Sequence, residues 1–124
     1  MSADRHLPDH YDVLAPDGSE VRILAATNRG SMAHFTLPPG QVSVAVAHHT
    51  VEEVWYILAG QGRMWRKTAE AESVTELSTG LSLTIPAATH FQFRCVGDLP
   101  LEAVAVTMPP WPGMDEAYEV AGCW

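Results

Sequence analysis

The sequence predicts an all-β domain, built as an antiparallel sandwich or barrel. Two observations lead to this prediction. Short runs rich in β-branched and aromatic residues recur along the chain, and Gly, Pro, Asn or Asp separate them at regular spacing. Outside the C-terminal tail, no apolar pattern with the helical period extends beyond about one turn. About nine short strands in this arrangement are typical of antiparallel sandwiches and barrels.

The predicted elements follow one another as strand and turn. An N-terminal arm, residues 1–19, ends in a turn that Asp17-Gly18 signals. The predicted strands are residues 20–26, 31–37, 41–47, 53–59, 63–67, 73–77, 81–85, 90–96 and 101–107. Gly, Pro or small polar residues connect them, such as TNRG after the first strand and PPG after the second. We therefore expect one domain over residues 1–124, with the barrel at 20–107 and a Pro- and Trp-rich tail at 108–124.

Length, charge and cysteine content limit the classes of function. At 124 residues, the chain is long enough for one hydrophobic core and too short for two. Its formal net charge of −8 would repel a phosphate backbone, which argues against a nucleic-acid partner. No apolar run approaches the roughly 20 residues that span a bilayer, and the N-terminus lacks the apolar core of a signal peptide. The two cysteines, Cys95 and Cys123, provide no disulfide framework, so we expect reduced thiols in a cytoplasmic protein.

The most informative stretch is residues 40–60, which reads as two strands that meet at a polar elbow. Alternate residues of a strand share a face, which groups Val42, Val44 and Val46 on the first strand and Glu53, Trp55 and Ile57 on the second. The elbow adds two imidazoles, His48 and His49, to this apolar pair of strands. Buried imidazoles and carboxylates are costly unless they have partners, so this concentration of polar groups marks the predicted site.

Two spaced motifs extend this interpretation to residues 36–107. The first contains Gly40, His48, Glu53 and Gly60, and includes the segment EEVWYILAG. The second contains Gly80, five residues and then Pro86. In order and spacing these motifs resemble those of the cupin family of small β-barrels. The resemblance implies a cupin-type antiparallel barrel, the double-stranded β-helix or jelly roll, which commonly forms a homodimer.

The resemblance also implies where a divalent metal would bind. Cupins hold the metal through two His residues of a His-x-His pair, a Glu and a His of the second motif. At these four positions this chain carries Val46, His48, Glu53 and Phe91. The imidazole near the last position, His90, lies one residue early, and a slip of one residue turns a side chain to the opposite face of its strand.

Two hypotheses about function follow. In the first, His48, Glu53 and His90 bind iron, manganese, nickel or zinc, His49 or water completes the shell, and the resemblance implies dioxygenase, isomerase or decarboxylase chemistry. In the second, the barrel binds a small organic molecule without metal, and His48 and Glu53 orient it or transfer a proton. A nearby carboxylate favours the charged imidazole and burial opposes it, so both protonation states stay open. A third interpretation, a catalytically idle barrel, has no positive support in the sequence.

The second hypothesis requires a largely apolar pocket, as is usual for small-molecule sites. The residues predicted to line it are Val42, Val44, Val46, Trp55, Ile57, Phe91 and Phe93. The tail carries Trp111 and Trp124, whose apolar area favours burial. We expect the tail to fold over a barrel mouth or to cross to a second subunit.

Overall fold

The computed structural model describes residues 4–124, so the first three residues of the predicted arm lie outside the described residues. The described chain folds into eleven strands and one short 3₁₀ turn. The strands are β1 (Val13–Leu14), β2 (Glu20–Ala26), β3 (Ser31–Leu37), β4 (Val46–His48), β5 (Glu52–Ala59), β6 (Gln61–Lys67), β7 (Glu72–Leu77), β8 (Ser82–Ile85), β9 (His90–Val96), β10 (Leu101–Met108) and β11 (Ala117–Glu119); the turn is Met114–Glu116. Among residues 4–124, no helix is long and apolar enough to cross a membrane.

The strands form two antiparallel sheets. One has the order β1-β2-β3-β10-β5-β8, and the other has the order β11-β4-β9-β6-β7. Neighbours in each sheet pair antiparallel, including those far apart in sequence, such as β3 with β10 and β4 with β9. The predicted all-β antiparallel fold is confirmed.

The core lies between the two sheets and follows from the alternation of residues along each strand. On β10, for example, Leu101, Ala103 and Ala105 are buried and the residues between them are partly exposed. The buried cluster comprises Leu37, Val46, Trp55, Ile57, Met64, Leu77, Leu83, Ile85, Phe91, Phe93, Cys95, Leu101, Ala103 and Ala105. The connection between β5 and β6 requires a glycine at position 60. Its φ of 82° is unfavourable for other residues, and a Cβ there would clash with the Pro100 carbonyl.

The prediction of a regular strand over residues 41–47 is wrong. Only Val46–His48 forms a strand, and the preceding residues bond to changing partners. The Val44 amide donates to the Asp17 carbonyl of the arm, whereas the Ser43 amide donates to the Phe93 carbonyl of β9. Residues 42–45 still alternate, but Ser43 and Ala45 take the buried positions, so Val42 and Val44 are exposed instead of facing the interior. The alternation breaks between Ala45 and Val46, which are both buried.

Candidate functional site

A cavity of about 290 Å³ lies at one end of the barrel. Its wall is almost entirely apolar and comes from β1, β2, β3, β4, β5, β10, the arm and the C-terminal tail. The apolar lining residues are Val13, Leu14, Ala15, Pro16, Val21, Ile23, Ala26, Met32, Ala33, Phe35, Val46, Trp55, Pro110, Trp111 and Met114; the polar ones are Asp17, Ser31, His48, Glu53 and Thr107. No lysine or arginine lines it. A few convergent polar groups in an apolar cavity are the usual composition of a small-molecule site.

Two strands from different sheets place His48 and Glu53 in this cavity. Glu53 lies on β5, where it alternates inward with Trp55 and Ile57 while the residues between them are exposed. His48 is the last residue of β4 in the opposite sheet. Its Nδ1 lies 3.4 Å from Glu53 Oε2, and both side chains are about 5 % exposed. The two sheets therefore bring an imidazole and a carboxyl group together away from water.

Aromatic side chains surround the imidazole of His48. Phe91 packs edge to face against it with ring centroids 5.3 Å apart, and Trp111 does the same at 5.1 Å. Nδ1 makes no hydrogen bond of ordinary geometry. Burial lowers the pKa of His48 to about 4, and the nearby negative charge of Glu116 opposes this only in part. The ring is therefore neutral near pH 7.

The carboxyl group of Glu53 is shifted in the opposite direction. Burial, with a smaller contribution in the same direction from the neighbouring carboxyl of Asp17, raises its pKa to about 8. The proximity of the Trp55 indole lowers this pKa in part, although the indole N–H makes no hydrogen bond of ordinary geometry. Near pH 7 the site therefore holds a neutral carboxylic acid beside a neutral imidazole, which is the arrangement that places a proton donor next to a proton acceptor.

Asp17 is a second buried carboxyl group at the cavity. Its Oδ1 accepts hydrogen bonds from the Ser19 amide at 2.9 Å and from the Ser19 hydroxyl at 2.6 Å. Burial raises the pKa of Asp17 and these two hydrogen bonds oppose the shift. These two hydrogen bonds are local to the turn before β2, whereas the backbone carbonyl of Asp17 ties the arm to the segment before β4 by accepting from the Val44 amide.

The C-terminal tail closes one side of the cavity. Glu116 fastens it, because its Oε1 accepts hydrogen bonds from the amides of Thr50 and Val51, at 2.5 and 2.6 Å, and from the Thr50 hydroxyl at 2.9 Å. β11 then pairs with β4, directly beside His48. The Trp111 amide also donates to Ser31 Oγ at 2.9 Å. These contacts hold the Trp111 ring against His48 and exclude water from that side of the site.

The structure places the other predicted site residues in three different environments. Val46 and Trp55 line the cavity. Ile57, Phe91 and Phe93 do not line it and are instead buried in the packed core. The two further imidazoles predicted as metal ligands, His49 and His90, also lie outside the cavity lining.

His49 and His90 are therefore not gathered with the buried pair. His49 is exposed, and its ring packs against Tyr118 with centroids 4.5 Å apart. His90 begins β9 opposite Lys67 and is partly exposed. The slip of one residue in the second motif is real, because the next residue, Phe91, points inward and is buried.

The donor set does not fit a cupin metal site. Val46 and Phe91, which stand where the family places two of the imidazoles, are direct partners across β4 and β9 and are both buried. Within residues 4–124, no group of three or more His, Cys, Asp or Glu side chains is arranged to hold a metal ion. Two neighbouring donors, His48 and Glu53, make a weak site for a divalent ion, which usually takes four or more ligands.

Sequence reasoning missed most of the cavity wall. The arm and β1 contribute Val13, Leu14 and Asp17, which are distant in sequence from both motifs. Asp17 carried only a turn signal, and nothing local indicated that it is buried. The tail carried a signal, since its prolines and tryptophans pointed to a segment that covers something, and Trp111 does line the cavity.

Comparison with known proteins extends these observations. The cupin domain family matches residues 33–107. An uncharacterized protein of Methanocaldococcus jannaschii, MJ1618, is 32 % identical over 114 residues, which cover 85 % of this chain and 88 % of that protein.

Solved structures share the fold at low sequence identity. Oxalate decarboxylase from Bacillus subtilis superposes with a TM-score of 0.77 at 12 % identity, over 97 % of this chain and 33 % of its own. KdgF from a Halomonas species gives 0.72 at 13 %, over 89 % of this chain and 97 % of its own. A Klebsiella pneumoniae protein with a double-stranded β-helix domain gives 0.69 at 16 %, over 96 % and 91 %. The predicted double-stranded β-helix is confirmed, and the chain belongs to the cupin family.

Proposed function

We propose that the cavity binds a small, largely apolar organic molecule without a metal ion, and that Glu53 and His48 contact its polar group and transfer a proton. The observation that carries this proposal is the buried pair, a carboxyl and an imidazole 3.4 Å apart at an apolar cavity of about 290 Å³. Polar groups are costly to bury without full hydrogen bonding, and a ligand would supply the missing partners.

The pair has the protonation states that general acid–base chemistry needs. With a pKa of about 8, Glu53 keeps its proton near pH 7 and can donate it. With a pKa of about 4, His48 is neutral there and can accept one. Environments that push two neighbouring pKa values apart often mark the acid and the base of a site. A solely structural pair would gain little from such a costly location.

A metal-dependent enzyme of the dioxygenase, isomerase or decarboxylase type is the alternative. The family resemblance favours it, since cupins commonly hold a divalent metal. The donor set argues against it, because apolar Val46 and Phe91 occupy two ligand positions. Elemental analysis of protein prepared without chelator separates the two. We expect less than about a tenth of an equivalent of iron, manganese, nickel or zinc. Near-stoichiometric metal that His48→Ala removes would overturn the metal-free proposal.

Binding itself is tested with N-phenyl-1-naphthylamine, an uncharged apolar dye that fluoresces in apolar pockets. Ala33 lines the cavity, so Ala33→Trp should fill it and abolish the fluorescence enhancement. Ala25, on the neighbouring strand, is exposed, so Ala25→Trp is the matched control and should bind as the wild type does. Far-UV circular dichroism checks that both variants fold. Equal dye binding by the two variants would show that this cavity is not the site.

A homodimer and a cytoplasmic location remain predictions. Val54, Tyr56 and Leu58 are exposed together on the outer face of β5, where a second copy would remove their apolar area from water. Sedimentation equilibrium at micromolar concentration tests the dimer, and a mass of one chain would contradict it.

A further inference from the structure

Three polar groups at the inner end of the cavity lack ordinary partners. The Trp55 indole N–H is buried without a hydrogen bond, and so is His48 Nδ1. The carboxyl group of Glu53 lies 3.4 Å from His48 Nδ1, which is long for a hydrogen bond, and the Trp55 indole is its other polar neighbour. More than about nine in ten buried polar groups have a partner, so three incomplete groups together indicate a ligand atom that completes them.

The hydrogen bonds that Trp55 and Glu53 can make indicate which kind of ligand atom fits between them. The Trp55 indole nitrogen can only donate, and a protonated Glu53 carboxyl also donates. Both residues line the cavity from the same face of β5, so an acceptor with two lone pairs, such as a carbonyl oxygen, can pair with both donors. An ammonium group would bring further donors to the same place and leave the indole N–H unpaired.

The charge around the cavity disfavours an anionic ligand. No lysine or arginine lines the wall, whereas two carboxyl groups, Asp17 and Glu53, do. The chain also carries a formal net charge of −8. A buried carboxylate or phosphate group would therefore lack a positive partner, and nothing would offset the free energy needed to remove its charge from water.

The mouth of the cavity defines the rest of the ligand. Five apolar side chains that line it are between 40 % and 60 % exposed: Val13, Leu14, Ile23, Met32 and Met114. Such a patch around an open pocket is typical of a surface that binds apolar material. It continues the apolar wall of the cavity outward from the polar end, so it suits a hydrocarbon chain attached to the acceptor group.

We propose that the ligand is an uncharged carbonyl compound with a hydrocarbon chain, whose oxygen accepts hydrogen bonds from Glu53 and from Trp55 Nε1 while its chain follows the apolar mouth. This inference rests on the proposed function of the cavity and names its ligand class. Trp55 thereby becomes a binding residue, in addition to its place in the wall between Phe35 and Phe93.

The same geometry supports enolisation of such a ligand. A C–H bond next to the carbonyl breaks and its proton passes to His48, while the electron pair forms the C=C bond. The carbonyl oxygen takes the Glu53 proton, which gives an enol, an imidazolium and a carboxylate. The imidazolium and carboxylate are then in contact, so a proton returns from His48 to Glu53 and both residues are neutral again.

The test compares four ligands of equal chain length as competitors of N-phenyl-1-naphthylamine: undecan-2-one, decanoate, decylamine and undecane. We expect the ketone to bind at least about tenfold more tightly than the acid or the amine, because only the ketone pairs both donors without a buried charge. Tighter binding of decanoate or decylamine would overturn the ligand class and leave the binding cavity intact. Failure of the dye itself to bind wild-type protein would instead contradict the proposed function.

Paired variants test the role of Trp55. Trp55→Phe removes the indole N–H and should weaken ketone binding about threefold to tenfold, with undecane unaffected. Trp65 is the matched control, since it is equally buried but its indole N–H donates to Glu72 at 2.9 Å, and it does not line the cavity. Equal effects of Trp55→Phe and Trp65→Phe on ketone binding would show that the Trp55 N–H does not contact the ligand.

Exchange of hydrogen at carbon tests the enolisation step. In D₂O at pH 7, the wild type should speed exchange of the α-protons of undecan-2-one, as read by proton NMR, and Glu53→Gln should reduce that rate at least about tenfold. Exchange at the same rate with wild type, Glu53→Gln and no protein would overturn the step. The competition result for the ligand class would stand independently.

Discussion

Two His–Glu pairs occupy this barrel, and they differ in their surroundings. The inner pair, His48 and Glu53, lies between the sheets at 3.4 Å with both side chains buried. The outer pair, His34 and Glu102, joins β3 to β10 on the outer face of the six-stranded sheet at 3.1 Å, and the Glu102 side chain is 38 % exposed. The residue types match, the distances are similar, and the His34 side chain is as buried as that of His48, so the difference lies in the access of water to the carboxyl group.

Burial of the carboxyl group, more than the identity of its partner, therefore decides whether such a pair can take part in chemistry. An ion pair whose carboxyl group meets water contributes at most about 1 kcal/mol. Loss of water at the inner pair shifts the pKa of Glu53 to about 8 and that of His48 to about 4, so the proton stays on the carboxyl group. The outer pair is a structural contact, whereas the inner pair is the candidate for chemistry.

The largest expected effect is a loss of stability with rising pH that comes from Glu53 of the inner pair. The folded state keeps the Glu53 proton up to about pH 8, whereas the unfolded state loses it near pH 4.5. Stability from this group therefore falls as pH rises from 4.5 to 8. His48 changes stability in the opposite direction, since its unfolded pKa of 6.5 drops to about 4 on folding and stability rises across that interval.

Between pH 6.5 and 8 only the Glu53 contribution of this pair remains. Urea unfolding should show a decrease in the free energy of unfolding on the order of 2 kcal/mol over this interval. Glu53→Gln should remove the decrease, and Glu102→Gln should leave it unchanged. An equally steep decrease in Glu53→Gln would assign it to another group.

The next largest difference between the two pairs is expected when the glutamate of each pair is replaced by leucine. Glu53→Leu removes a buried carboxyl group and fills its space, so we expect the protein to gain about 1–2 kcal/mol at pH 8 while losing α-proton exchange. Glu102→Leu serves as the control and should give no such gain. Chemical unfolding at pH 8 measures both variants, and a destabilised Glu53→Leu would indicate that the pair holds the barrel together.

Removal of the Trp111 ring that covers His48 should give the inner pair the access to water that the outer pair has. Trp111→Ala removes the ring that packs on His48, so water should reach the imidazole and raise the pKa of His48 by about one unit toward 6.5. Proton NMR of the His48 ring hydrogens measures this. Trp124→Ala is the control, because Trp124 packs near Arg94 and is absent from the cavity lining. If the pKa of His48 is unchanged in Trp111→Ala, the tail does not exclude water from His48.

The smallest effect is expected at the outer pair. Glu102→Gln removes a half-exposed contact and should cost less than about 1 kcal/mol. Dye binding should stay within twofold of the wild type, because neither His34 nor Glu102 lines the cavity. A large loss of binding would mean that the two faces of the sheet are coupled.

Much of the fold could be predicted from local pattern. The strands at 20–26, 31–37 and 90–96 have the predicted bounds, because hydrophobic alternation and Gly or Pro turns act locally. The position of Glu53 also followed from alternation on its strand. The face that Val42 and Val44 take could not be predicted, since the Val44 amide bonds to the distant arm and the alternation breaks between Ala45 and Val46.

The cavity wall was less accessible to sequence reasoning. Phe91 and Ile57 share inward faces with the site residues, yet they pack in the core and do not line the cavity. The alternation along a strand predicts which face a residue takes, but it does not predict whether neighbouring side chains leave a space beside it. The contributions of Asp17 and Trp111 depend on chain segments that meet His48 only after folding. The protonation states of His48 and Glu53 also depend on burial by these segments, which is complete only in the folded protein.

A titration of the Glu53 side-chain carboxyl by ¹³C NMR tests the central claim most directly. The account predicts a midpoint near pH 8, with the ring of His48 uncharged down to about pH 4. A Glu53 midpoint near 4.5 together with a His48 midpoint near 6.5 would show an ordinary pair in contact with water, and the proposed acid and base would be lost.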